Sequence, residues 1–179
     1  KISEISTHTF ADCKNLEKVV FPMTLKIIGT EAFEGCLLLE EASLPTSIQE
    51  MHIGCFSYCE ELKEITIPAT VKVIEEEAFW GCTSLKSVTF HEGLEEIGRE
   101  SFRECKELES ITIPESVHTI DDGAFTHCDK LTEIKFLSRD LISMTLGQNP
   151  GPFDKNVVEK ISVPKGTVLV KVEQGEDFV

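Results

Sequence analysis

The chain has 179 residues, 41% of them hydrophobic and 27% charged, enough for one domain or a short repeat array with a packed core. Lys and Arg total 17 against 32 Asp and Glu, a formal charge of -15. That acidity argues against nucleic acid or an anionic membrane as partner, because phosphate contacts need clustered Lys and Arg. No run of about 18 apolar residues occurs, so no spanning helix is expected in this segment.

The chain opens at Lys1 with no Met, basic region or apolar stretch, and so carries no targeting signal in this segment. Ile2, Ile5 and Phe10 fit the second half of a repeat, which reads as a processed or excised piece of a longer chain. From there a unit recurs every 23 residues, led by Phe10, Phe33, Phe56, Phe79, Phe102 and Phe125. Cys follows three later (Cys13 to Cys128) and Leu three after that (Leu16 to Leu131). Branched or small apolar residues follow as in Leu62, Ile65 and Ile67, then Pro in four coils, then pairs such as Val71 and Ile74. A small residue, such as Ala78, precedes the next Phe.

The alternation Leu62, Ile65, Ile67 predicts a short strand with one buried face, and Pro68 ends it because it has no N–H to donate. Val71 to Ile74 predicts a second short extended run. Glu77 to Cys82 predicts a turn or a single helical turn with Phe and Cys inward. A helical-hairpin solenoid is excluded, since paired helices need over 30 residues per unit and Pro would break the second helix. The expected fold is a solenoid with one or two short parallel strands per 23-residue coil. At about 4.8 Å per coil it forms a rod roughly 29 Å long, with Phe stacked on Phe.

After Phe136 the register breaks. Residues 137–151 read as irregular, with Asn149, Pro150 and Gly151 as turn formers. Phe153, Ile161, Val163 and Pro164 imitate a seventh coil after about five inserted residues. The expected division is a six-register array over 1–137, its first coil incomplete, and a divergent last coil with a C-terminal cap or linker over 138–179. Residues 173–179 are expected to be loose.

Six of the seven Cys share one register, where parallel side chains about 4.8 Å apart do not reach disulfide geometry. They are expected to be buried thiols acting as small hydrophobes. Cys55 replaces the small residue before Phe, and a strained Cys55–Cys59 link is the one alternative. The five His occupy unrelated registers, and no C-x-x-C or H-x-x-x-H occurs, so no metal or other cofactor is expected. Asp121, Asp122 and Glu75 to Glu77 read as solvated edge charge, with calcium binding as the lesser alternative. No nucleophile–base pair, phosphate loop or paired catalytic carboxylates stand out, so no enzyme and no catalytic residue is predicted.

Two binding surfaces are candidates. One is the outward stripe of the first strand, Lys18, Glu41, Glu64, Ser87, Ser110 and Glu133, flanked by Val20, Ser43, Thr66, Thr89, Thr112 and Lys135. The other is an apolar patch of Leu37, Leu38, Tyr58 and Trp80, large residues at registers that other coils fill with polar ones.

The Phe–Cys–Leu–Ile–Ile–Pro–Val–Ile–Ala string over residues 1–137 resembles the BspA-type (Treponema-type) leucine-rich repeat family. Residues 163–167, V-P-K-G-T, are similar to the family's terminal units. The resemblance implies a curved right-handed leucine-rich-repeat solenoid within a larger surface protein, extracellular or at the cell surface. It also implies non-catalytic binding or adhesion, with a protein or glycan ligand. The alternatives are a structural spacer or assembly module displaying another domain, or a repeat appendage of an enzyme.

Overall fold

The computed structural model describes residues 1–137 and 151–154, and the backbone of strands at 142–145, 161–162 and 169–172. In chain order the strands are β1 (Glu4–Ile5), β2 (Lys18–Val20), β3 (Ile27–Ile28), β4 (Glu41–Ser43) and β5 (Glu50–Met51). Next come β6 (Glu64–Ile67), β7 (Val73–Ile74), β8 (Ser87–Phe90), β9 (Glu96–Ile97) and β10 (Ser110–Ile113). Last come β11 (Thr119–Ile120), β12 (Glu133–Phe136), β13 (Ile142–Thr145), β14 (Ile161–Ser162) and β15 (Leu169–Val172). Each complete coil thus carries two strands, and every pairing is parallel, as in Ile111 against Ile134 and Ile74 against Ile97. No helix is present among the described residues.

The odd-numbered strands form two sheets, β1-β3-β5 and β7-β9-β11-β13-β15. The even-numbered strands form three, β2-β4, β6-β8 and β10-β12-β14. The first-strand face is therefore interrupted twice, where one continuous pairing is expected from the repeat. At the first interruption Glu41 and Glu64 hold equivalent positions, and like charges on neighbouring strands disfavour close pairing. The second, between Ser87 and Ser110, has no such charge.

The segment around each Phe is a run of turns because two registers per coil adopt left-handed backbone. Two residues before Phe, φ is positive at His8, Glu31, Gly54, Glu77, Glu100 and Gly123. Two residues after it, φ is positive at Asp12, Gly35, Tyr58, Gly81, Glu104 and His127. Right-handed helix cannot continue through such positions. They turn alternate N–H groups toward the following coil: Glu77 donates to the Arg99 carbonyl (3.0 Å), Phe79 to Ser101 (2.8 Å) and Gly81 to Arg103 (2.9 Å). A left-handed residue other than Gly costs about 1–3 kcal/mol, so this conformation persists only where bonding and burial on both sides hold it.

That holding comes from the core. Phe10, Phe33, Phe56, Phe79, Phe102, Phe125 and Phe153 form one column, with centroid spacings of 5.1 to 5.7 Å and near-parallel rings. Phe33 through Phe125 are fully buried, as are Leu39, Leu62, Leu85 and Leu108. Phe21 and Phe90 meet the column edge-on, against Phe33 and Phe102.

All seven Cys are free thiols, including Cys55 and Cys59. Five are more than small hydrophobes. The Sγ of Cys36, Cys59, Cys82, Cys105 and Cys128 each donates to the Phe carbonyl of the preceding coil, at 3.2 to 3.4 Å. That carbonyl also accepts the N–H of its own coil's Cys, as Cys82 N to Phe79 O at 3.3 Å, so both lone pairs are used. Burial pushes the Cys36 thiol up to about 11 and the Cys82 and Cys128 thiols up to about 12. Cys13, in the first coil, is exposed. At pH 8 an aromatic disulfide reagent should therefore titrate one thiol in the folded chain and all seven in denaturant. Release of two or more equivalents without denaturant would contradict the buried assignment.

At the C-terminal side, Phe153 stacks on Phe125 at 5.3 Å and β14 pairs with β12 through Ile134 and Ile161. The reading of 137–151 as irregular is corrected: β13 lies inside it and pairs with β11, Ile120 against Met144. That pairing is one residue off the 23-residue period, which is why strict register misses it. Val163, Pro164, residues 163–167 and residues 173–179 lie outside the described residues.

Candidate binding surfaces

On the first-strand face, side chains alternate between core and solvent. Ala42, Ile65, Val88, Ile111 and Ile134 turn inward and are buried. Lys18, Glu41, Glu64, Ser87, Ser110 and Glu133 turn outward and are exposed. Register sets Lys18 beside Glu41, Glu64 beside Ser87 and Ser110 beside Glu133. Lys18 forms an ion pair with Glu41, which holds that carboxyl below its ordinary range. At the first interruption a cavity of about 380 Å³ opens between β4 and β6, lined by Glu41, Ser43, Leu44, Glu64 and Thr66. The stripe is thus three short patches, with the cavity between the first two.

The turn edge is built differently. At the register two after Phe, side chains lean over the next coil. The Asp12 carboxylate lies 3.0 Å from where a Cβ on Gly35 would stand, and the Tyr58 ring 2.8 Å from where one on Gly81 would stand. Glycine at position 81, with φ 73°, leaves free the space that the Tyr58 ring occupies. Tyr58 then meets Trp80, centroids 5.3 Å apart. The Arg103 guanidinium covers the Trp80 ring at 5.6 Å from its centroid and lies 3.3 Å from Glu100 and 3.6 Å from Glu104. Trp80 is half-buried between these neighbours.

Leu38 is 43% exposed and Tyr58 36%, while Leu37 is half-buried. Leu37 and Tyr58 line one cavity of about 250 Å³, which Leu38 and Trp80 do not line. Burial first, and then the carboxylates of Glu104, Glu77 and Glu34, push the Tyr58 hydroxyl up, marking an electronegative edge. Burial, then Glu31, also pushes the Glu34 carboxyl up. Among the described residues no group of three or more His, Cys, Asp or Glu is placed to hold a metal ion. Nor is any helix among them long and apolar enough to cross a membrane.

The family model for the BspA type leucine rich repeat region matches six copies, over residues 1–105 and 51–167. The chain belongs to the BspA-type leucine-rich repeat family. This repeat's solved relatives include a leucine-rich repeat protein of Bacteroides ovatus ATCC 8483, 24% identical, covering 94% of this chain and 58% of that one, with a TM-score of 0.68. The T. pallidum leucine rich repeat protein is 26% identical over 95% of this chain and 65% of its own, with a TM-score of 0.55. A leucine rich cell surface protein of Faecalibacterium prausnitzii A2-165 is 21% identical over 98% and 52%, with a TM-score of 0.57. This leucine-rich repeat chain therefore spans less than two thirds of each of those proteins. Among curated proteins none matches it significantly.

Within the repeat, sequence reasoning missed Arg103 and Glu104 as partners of Trp80, and Glu100 as a partner of Arg103. A signal for the turn edge was present: at one register Asp12 precedes Gly35 and Tyr58 precedes Gly81, each large or charged residue followed a coil later by Gly.

Proposed function

We propose that the chain is a non-catalytic binding module of a larger cell-surface protein, holding a protein or glycan partner on its outer surface. The carrying observation is the turn edge, where exposed Tyr58 meets Trp80 and shares a cavity with Leu37, while the repeated registers are taken up by stacking. An exposed aromatic pair beside a cavity is the kind of surface on which contact energy concentrates. The F. prausnitzii relative, a leucine rich cell surface protein, supports the surface setting.

The test compares wild type with Tyr58→Ala plus Leu38→Asp on the edge, and with Glu64→Lys plus Ser87→Lys on the strand face. Each is immobilised at matched folding, and challenged with defined surface proteins and a glycan array. One face variant should lose about tenfold or more in capture while the other keeps it. Unchanged capture by both would remove the proposed faces and favour the spacer. The surface setting is checked by labelling intact cells bearing the parent protein with a membrane-impermeant biotin reagent. Labelling only after lysis would overturn it.

A further inference from the structure

Resting on the binding-module reading, we propose that the notch over Gly35 receives one cationic side chain, lysine or arginine, of a peptide partner that lays an apolar neighbour against Leu37. The notch exists because the edge alternates at the register two after Phe. Asp12 leans over Gly35, its carboxylate 3.0 Å from where a Cβ would stand, and Gly35 contributes no side chain of its own. The cavity draws on three successive coils: Asp12 and Lys14, then Glu34, Gly35 and Leu37, then Tyr58 and Glu60. At about 250 Å³ it lies below the usual range for small-molecule sites of about 300–1,000 Å³, and suits a single long side chain.

Its chemistry selects a cation. Three carboxylates, Asp12, Glu34 and Glu60, stand against Lys14, which is itself 3.6 Å from Asp12. Tyr58 supplies an aromatic wall, and a cation near a ring gains attraction beyond area burial. The carboxylates do not converge as a metal cage, which favours an organic cation over a divalent ion. Two coils on, the same edge already builds this arrangement from its own residues: Arg103 over Trp80, with Glu100 and Glu104 as carboxylate partners. Leu37, half-buried, lines the same cavity and offers apolar contact at the notch.

The probe is the blocked peptide acetyl-Leu-Arg-Leu-amide, titrated into the full chain and followed by amide NMR shifts. Saturable shifts are expected at Gly35, Leu37 and Tyr58. Replacing Arg by Gln in the peptide, or Glu34→Gln plus Glu60→Gln in the chain, should weaken binding about tenfold or more with the fold retained. A lysine peptide should bind at the same amides, and binding should weaken with added salt. Equal binding of the Gln peptide, shifts located elsewhere, or stronger perturbation of these amides by calcium chloride than by the peptide would each overturn the proposal. If the peptide fails while the edge variant of the preceding section still loses capture, the cation notch falls and the binding-module reading stands.

Discussion

Phe79→Ala is expected to lower the unfolding free energy by about 3–5 kcal/mol, measured by urea denaturation. Phe79 is fully buried, with Phe56 at 5.7 Å on one side and Phe102 at 5.1 Å on the other. The gap cannot close by sliding the coils together, because inter-coil bonds fix their spacing: Phe56 N to Ala78 O at 2.9 Å and Phe79 N to Ser101 O at 2.8 Å. A retained cavity is the condition that puts such truncations at the upper end of their range. Phe10→Ala is the internal control. Phe10 is 36% exposed and stacks on Phe33 alone, so its loss should cost less than half as much. Equal costs at the two positions would mean that the rings do not stabilise one another as a column.

The difference between those two residues shows where the sequence is legible. The 23-residue spacing of Phe, Cys and Leu specifies stacking, because a coil this short cannot bury its apolar face alone. The strand faces follow from alternation, so the outward row from Lys18 to Glu133 is readable without coordinates. The left-handed registers were not readable. Five of their residues are Glu or Tyr, whose own preferences do not announce a positive φ; only His8, Asp12 and His127 among the non-Gly ones are of types enriched there. Tertiary bonding to the next coil imposes it. The same holds for the thiols: the spacing places them inside, but their donation to a Phe carbonyl depends on the offset between coils, which composition does not encode.

The candidate surfaces divide in the same way. The apolar patch was legible as large residues at variable registers. That Arg103 covers Trp80 while Leu37 and Tyr58 border an acidic notch depends on which way side chains lean. The lean of Asp12 and Tyr58 follows from the Gly one coil later, a pairwise signal across 23 residues that position-by-position reading overlooks. Interruption of the first-strand face is likewise a property of neighbouring coils.

Register between coils is the claim on which the rest depends, and removing one whole coil tests it most directly. Deleting residues 64–86 takes out one 23-residue period and joins Lys63 to Ser87, so each Phe, Cys and Leu keeps its place relative to the next coil. The array loses one set of nearest-neighbour contacts and no register. The shortened chain should give an unchanged β-type circular dichroism spectrum and one cooperative transition, at a somewhat lower Tm. Deleting 64–74 alone removes fewer residues but moves the Phe79 column out of phase with Phe56. It should abolish cooperative unfolding, a loss comparable to the whole stability of a domain, about 5–15 kcal/mol. A folded, cooperative 64–74 deletion beside an unfolded 64–86 deletion would contradict the stacked-coil account.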